Sequence, residues 1–406
     1  MSDNLSPNQK ALRRLMRNKP ALFGLGTIVL AILIAILGYA ISPDDTPDAN
    51  QQSLTIALKD PGFSVKMLII KKNRVVETRG FFGKMLFGSE NENDFLPINK
   101  YEINGDSIIV EKYAGEDPTT GKILRGPSQR FHLADVLYAI NGSNSKIATL
   151  NNQFVFYDLN NQKTAVNTEG VTQSVENQIV TNKFRLGTDN FGRDTLSRLI
   201  LGVRISLLVG LIAVIISLTI GIFLGALSGY FGGRVDEAIM LIINTVWSIP
   251  TILLVFAIVL AFGKSIGIIF LAVGLTMWVD VARLVRGQVM SLKEIQFVEA
   301  AQSMGFGTWR ILTRHILPNI LGPVMVVAAS NFATAILIES GLSYLGFGIQ
   351  PPTPSWGTML NENYGYAIGG KPFLALIPAV AIMLMVLAFN LVGNGFRDAL
   401  DVKSRE

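Results

Sequence analysis

Six stretches of this chain are apolar for long enough to cross a lipid bilayer, which takes about 20 residues of helix. The first is ALFGLGTIVLAILIAILGYAI, residues 21–41, preceded by Lys10, Arg13, Arg14, Arg17 and Lys19. A basic start before an apolar run also suits a signal peptide, but this run exceeds the usual h-region of about 7–15 residues, so an uncleaved anchor is expected. The second is 203–230, the third about 238–262 with Pro250 inside it, the fourth about 266–284, the fifth about 320–345 and the sixth 373–393. Gly225, Gly229, Gly274 and Gly341 lie within them. Small residues let membrane helices approach closely, so a packed bundle is expected.

The composition agrees. Half the residues are hydrophobic and 16% are charged, against about 25% charged in a soluble domain. The absence of cysteine excludes disulfides and thiolate metal sites. The two histidines, His132 and His315, are too far apart to suggest a metal site. The net charge of +5 fits basic cytoplasmic loops and does not point to nucleic acid.

Lys and Arg counts in short loops set the orientation. With the N-terminus inside, the cytoplasm receives the basic tail, the 285–319 segment and Arg397, Lys403 and Arg405, while the outer loops 263–265 and 346–372 hold only Lys264 and Lys371. Arg193, Arg198 and Arg204 crowd the outer end of the second span against this rule, but the loop before them is long, and long loops largely escape it.

The expected fold is mainly α: a polytopic membrane bundle of six transmembrane helices with a small, mostly β domain inserted outside the cytoplasm. That domain falls at about 50–183, where SVKMLII, SIIVEKY and NQFVFYDL have strand composition and Asn104-Gly105 signals a hairpin. It carries no phosphate loop and no catalytic constellation, so a structural or docking role is expected, with specific ligand binding as the alternative. The following segment, LGTDNFGRDTLSRLILGVRISL (186–207), lacks the calcium-loop spacing despite Asp189 and Asp194. It reads as a polar turn and an interfacial helix whose arginines reach head groups or carbonyls.

Between the fourth and fifth apolar runs lies VEAAQSMGFGTWRILTRHILPN, Val298–Asn319, too polar for lipid. QVMSLKEIQFVEAAQSM reads as one helix stopped by Gly305. Thr308 can cap a second, TWRILTRHIL, ending where Pro318 begins the next span. On it Trp309, Leu312 and Ile316 share one face, and Arg310 and Arg314 another. Such a hairpin belongs at the cytoplasmic surface, either as a helix fitting a partner's groove or as a plain connecting loop. Ala300 and Ala301 keep its first helix slim, and Glu299 offers a charge.

Glu299-Ala300-Ala301, three residues, Gly305 and then Leu317-Pro318 resemble the EAA loop of ATP-binding-cassette importer permeases. Arg314 to Asn319, the segment before the second span and ESGLSYLGFGIQPPTPSWGTML (339–360) resemble the dipeptide, oligopeptide and nickel branch, in its second or C-type permease subunit. The resemblance covers about 1–42 and 184–406; the 50–183 block departs from it. It implies a MetI-like transmembrane core at 186–395 with an ATPase-coupling loop at 285–319. Around that core it implies a cytoplasmic tail 1–20, a first helix 21–42, an inserted extracytoplasmic domain 43–185 and a tail 396–406.

The implied coupling residues are Glu299, Ala300, Ala301, Gly305, Trp309, Arg310, Arg314, Leu317 and Pro318. The implied function is half of a translocation pathway for di- and oligopeptides across a bacterial cytoplasmic membrane. The alternatives are nickel or another small solute or, in a different class, a membrane-anchored enzyme. Implied partners are a companion permease in a heterodimer, two ATPases and an extracytoplasmic substrate-binding protein. No Walker A sequence is present, so ATP and Mg belong to the partner ATPases; the chain itself is expected to bind no cofactor or metal and to have no catalytic residues.

Intramembrane polar residues are the pathway candidates: Asn244 and Trp247 before Pro250, Asn331, and Glu339, which can meet a substrate ammonium or pair with an arginine. Asp280 is expected to pair with Arg283 or Arg286. The Pro-rich loop before Trp356 reads as a docking edge or an interface anchor.

Overall fold

The computed structural model describes residues 12–77, 79–117, 119–141 and 147–400. The basic positions Lys10, Lys403 and Arg405 lie outside them. Contacts divide the chain into two compact units: a helical one (residues 1–35, 202–362 and 375–406) and one rich in β structure (36–201 and 363–374).

Helix α1 spans Lys19–Ile41. Asn18 caps it, its Oδ1 accepting the Ala21 amide at 3.1 Å. In the β-rich unit follow β1 (Phe63–Lys71), α2 (Phe81–Phe87), β2 (Asn93–Asn104), β3 (Ser107–Glu116), β4 (Ile123–His132), α3 (Leu133–Leu137), β5 (Ala148–Leu150), β6 (Gln153–Tyr157), β7 (Lys163–Asn167), α4 (Val171–Asn177) and β8 (Ile179–Phe184). The main sheet is antiparallel in the order β4-β3-β2-β1-β8, and β5-β6-β7 form a second sheet.

Each sequence-read strand is present. At the expected hairpin Asn104 pairs with Ser107, so the two turn residues are Gly105 and Asp106, not Asn104 and Gly105. Gly105 has φ +61°, as a turn with glycine in its first central position requires. Alternation along β1 serves two cores: Leu68 joins Ile98, Ile108, Val136 and Phe154, while Val65 and Met67 join Ile56 and Tyr113.

The remaining elements are α5 (Thr195–Phe231), α6 (Gly233–Trp247), α7 (Thr251–Phe262), α8 (Ile266–Lys293), α9 (Gln296–Ser303), α10 (Thr308–Ile311), a π turn at Leu312–Ile316, α11 (Leu317–Tyr344), α12 (Trp356–Ile368) and α13 (Phe373–Leu400). Among the described residues five helices are long and apolar enough to cross a membrane; a sixth span exists if the bent pair α6–α7 is one.

That pair corrects the third expected span: the chain turns by 87° at the break before Thr251. Pro250 has no amide hydrogen to donate and its ring excludes the preceding helical carbonyl, so α6 stops at Trp247 and α7 starts afresh. The sixth run also continues as helix beyond 393, through Arg397 to Leu400.

Glycines allow a close crossing of α5 and α8. Gly221, Gly225 and Gly229, one turn apart on α5, lie against α8. A Cβ on Gly225 would stand 2.5 Å from the Ala282 carbonyl oxygen and 2.9 Å from Val285 Cβ, and one on Gly229 2.6 Å from the Arg286 carbonyl oxygen. Gly274 similarly meets Ile216. Gly341 does not belong with them: an added Cβ would find only Ile252 Cδ1, at 3.8 Å.

The candidate coupling hairpin and polar positions among the spans

The first arm of the polar hairpin is shorter than its sequence suggests. Gln288–Lys293 prolong α8, the chain breaks at Glu294-Ile295, and a separate α9 carries Glu299, Ala300 and Ala301. Gly305, at φ +78°, closes α9 as expected. Its amide donates to the Gln302 carbonyl (2.8 Å) and the Phe306 amide to the Ala301 carbonyl (3.2 Å), the paired bonds of a Schellman cap. Phe306 then packs in the same core as Ala301, which fixes the reversal of direction.

The second arm differs from its sequence reading at three points. Gly307, not Thr308, holds the N-cap position. Trp309 does not share a face with Leu312 and Ile316: it is 61% exposed while they are fully buried with Ile311. The arm does not end at Pro318. Helix runs without interruption from Thr308 to Tyr344, 37 residues. The reason is local: Pro318 removes an amide donor and crowds the carbonyl four residues earlier, and the π turn immediately before it opens the ladder enough to accept the ring.

The hairpin thus has two faces. Val298, Ala301, Ile311, Leu312 and Ile316 are buried with Val285 and Val289 of α8, Ala226 and Tyr230 of α5 and Ile320 of α11. Opposite them Glu299, Ala300, Met304, Gly305, Trp309, Arg310 and Arg314 are exposed, while Leu317 is half-buried and Pro318 exposed. Arg310 lies over the Phe306 ring at 4.2 Å, and Phe306 stacks on His315.

Three polar links brace the helices beneath it. Arg286 of α8 grips Asp236 of α6 through Nε (2.5 Å) and Nη2 (2.6 Å), a bidentate pair. Ser228 of α5 donates to the same carboxylate. Lys293 Nζ donates to the Tyr230 carbonyl at 2.7 Å. The sequence reading has Asp280 paired with Arg283 or Arg286, and neither pair forms; only the break after Phe231 could have hinted that Asp236 would fold back beside α8.

Asp280 is exposed, and no ion pair reaches it among the described residues. Arg283 instead donates to Asn244 Oδ1 at 2.8 Å and lies 4.0 Å above the Trp247 ring. Asn244 and Trp247, both exposed, therefore meet Arg283 at the α6–α7 break, where Asp280 lines the same recess with Trp247 and Pro250.

Asn331 and Glu339 do not join them. Asn331 is 6% exposed, its Nδ2 directed to the Met277 carbonyl. Glu339 is fully buried and accepts the Ser343 hydroxyl at 2.7 Å; no arginine pairs with it among the described residues. Trp356 is also buried, its indole lying on Gly202, so it does not anchor at a lipid interface.

The segment before the second span departs furthest from expectation. Arg193 and Arg198 are each 1% exposed, and they converge on Asp189, 2% exposed. Arg193 Nε bonds Asp189 Oδ2 at 2.6 Å and Arg198 Nε lies 3.6 Å from it. Oδ1 meanwhile accepts the Phe191 and Arg193 amides at 2.9 Å. These arginines reach no head group; their charge is met inside the fold. The signal was present as Asp-x-x-x-Arg spacing within one tight turn.

Asp194 caps α5, accepting the Ser197 amide at 2.8 Å. Asp44 and Asp194 share one recess, and burial holds both carboxyls above the usual range, with the Asp45 charge adding to it at Asp44 and the Asp44 charge at Asp194.

The family model for the binding-protein-dependent transport system inner membrane component matches residues 221–406. That for the N-terminal TM domain of oligopeptide transport permease C matches residues 6–61. Residues 62–220, which hold the whole β-rich insertion, fall outside both.

The oligopeptide transport system permease protein OppC of Bacillus subtilis is 41% identical over 54% of this chain and 72% of its own. The glutathione transport system permease protein GsiD of Pectobacterium atrosepticum is 43% identical over 54% and 72%, and the OppC of Escherichia coli K12 45% over the same shares. Among solved structures, an inward-facing MetNI methionine ABC transporter chain is 19% identical, aligning over 50% of this chain and 97% of its own with a TM-score of 0.40.

Relatives at this identity, matched over most of their length, together with a bundle of spanning helices, settle the family. The chain belongs to the inner-membrane components of binding-protein-dependent transport systems, multi-pass permeases that are not themselves enzymes, and within them to the C-type permeases.

Proposed function

We propose that this chain forms half of the translocation pathway of an ATP-binding-cassette importer for di- and oligopeptides, and that its hairpin receives the motion of a partner ATPase. The observation that carries the coupling role is the two-faced hairpin. Its inner face is part of the same packed core as α5, α8 and α11, and its outer face presents Trp309, Arg310, Arg314, Met304 and Glu299. An exposed tryptophan flanked by arginines is the composition of an interface hot spot. Gly305 fixes the reversal, and Ala300 leaves room for a close approach.

Orientation follows the charge asymmetry: both termini and the hairpin in the cytoplasm, the β-rich insertion outside. The partners are a companion permease, two ATPases that carry ATP and Mg, and an extracytoplasmic binding protein. Peptide as cargo rests on the OppC and dipeptide permease relatives; glutathione, carried by the system of another relative, is itself a tripeptide. We assign the pathway wall to the exposed Asn244 and Trp247, with Asp280 beside them. The buried Asn331 ties α11 to α8 through the Met277 carbonyl, and the buried Glu339 bonds within α11.

Replacing Trp309 by Ala together with Arg314 by Glu tests the coupling role. The expected result is loss of co-purifying ATPase and of labelled-tripeptide uptake with the permease still present in the membrane. Full ATPase recovery with normal uptake would refute it.

A further inference from the structure

Helix α2, FFGKMLF, has no buried residue. Phe81, Phe82 and Phe87 are 77%, 73% and 62% exposed, and Leu86 is 41% exposed beside them. Water-facing protein rarely carries an apolar cluster of this kind unless something covers it. Its position in the fold identifies the cover. Helix α1 has 23 residues, a length of about 35 Å, so its last turn emerges where the roughly 30 Å hydrocarbon layer ends.

Tyr39 lies in that last turn, and α2 is fastened beside it. Gly88, which ends α2, packs so closely that a Cβ would stand 2.8 Å from Tyr39 Cε1 and 2.9 Å from the Asp45 carbonyl oxygen. Lys84 of α2 pairs with Asp45 at 2.7 Å, four residues beyond the end of α1. Arg79 donates to the Phe87 carbonyl at 3.1 Å and covers the Phe87 ring at 5.7 Å, which holds a second cation at the same level.

We propose that α2 is an interfacial anchor: Phe81, Phe82, Leu86 and Phe87 insert into the acyl boundary of the membrane that α1 crosses, with Lys84 and Arg79 at head-group level. Phenylalanines on a short helix with flanking cations are the composition such binding requires. The anchor fixes the β-rich insertion at the membrane surface. It depends on α1 spanning the bilayer and not on which side the insertion occupies.

The chain has no cysteine, so a single introduced thiol reports one position. Phe82→Cys, and Leu150→Cys in β5 as an aqueous control (Leu150 is 56% exposed), are labelled with a nitroxide. Each is carried in the full-length chain with its co-purifying subunits, in nanodiscs of phosphatidylethanolamine and phosphatidylglycerol. Collision with oxygen is compared with collision with a water-soluble nickel chelate. The expected result is an oxygen-to-nickel ratio several-fold higher at position 82 than at position 150. Equal ratios, meaning that α2 is bathed in water, overturn the proposal. So does shielding of position 82 from both reagents, meaning that protein covers it.

Discussion

Replacing Asp189 by Asn tests whether the buried Asp189–Arg193–Arg198 cluster organises the entry to α5. The substitution is nearly isosteric and leaves Oδ1 able to accept the Phe191 and Arg193 amides, so the turn itself retains its acceptor. What is lost is the carboxylate oxygen that Arg193 Nε meets at 2.6 Å and Arg198 Nε approaches to 3.6 Å. An amide NH2 there faces two guanidinium groups, each 1% exposed. Removing one partner of a buried ion pair costs about 3–5 kcal/mol, because the remaining charge is already out of water.

For a unit of this size that corresponds to a fall in melting temperature of roughly 6–20 °C. The assay is thermal unfolding of the purified full chain, with hydrogen exchange of peptides covering 186–200 to locate the loss. A double-mutant cycle with Arg193→Gln supplies the second reading. The pair of changes should cost clearly less than the sum of the two single changes, because the interaction is removed once. Asp189→Asn melting with the parent, or strict additivity with Arg193→Gln, would show that the cluster contributes geometry without energy and would refute the reasoning.

Three further outcomes are expected. Gly225→Ala pushes a methyl into the Ala282 carbonyl and Val285 and should destabilise by about 1–3 kcal/mol; Gly341→Ala, with nothing nearer than 3.8 Å, should be neutral or slightly stabilising in the same thermal assay. His132 accepts the Ala134 amide through Nδ1 at 3.2 Å, and burial holds its pKa below 6.5. Its unfolded form therefore takes up a proton first: stability is complete above pH 6.5 and declines as pH falls toward the folded value. Hydrogen exchange across 107–137 should accelerate on acidification, and His132→Asn, which keeps a capping acceptor, should flatten that dependence. Asp280→Asn should lower uptake of peptides with a free amino terminus more than that of N-acetylated ones while leaving ATPase association unchanged; equal effects on both would remove Asp280 from cargo recognition.

Much of the architecture was legible because single positions decided it. Apolar length alone located five of the six expected spans as single helices, and Gly305 is a cap that few other residues can supply at φ +78°. Three strands of the insertion were readable from β-branched and aromatic runs. The unreadable parts depend on what packs against what. Pro250 marked a disturbance, but whether it kinks or breaks a span depends on what flanks the turn, and here the result is 87°. Arg193 and Arg198 read as interfacial charges because the Asp189–Arg193 spacing shows a local pair but not that Arg198 joins it or that the cluster is buried.

At α-helical spacing Trp309 shares a stripe with Leu312 and Ile316, but the π turn at Leu312–Ile316 changes the phase. Arg286 found Asp236, fifty residues away in sequence, a pairing that no local pattern encodes.

The π turn also alters what the hairpin can do. A helix ending at Pro318 would leave a flexible joint between the partner-facing arm and the span. The observed helix is continuous from Thr308 to Tyr344, a length of about 55 Å against a hydrocarbon layer of roughly 30 Å. The helix is thus some 25 Å longer than the layer is thick, with Trp309 in its first turn. A sideways displacement of that end rotates the whole of α11, including the segment around Asn331 and Glu339, instead of being absorbed at a hinge. Both residues are buried, Asn331 directed to the Met277 carbonyl of α8 and Glu339 accepting from Ser343 within α11 itself. The break at Trp247–Pro250 stays exposed, which is why the proposed pathway wall is placed there.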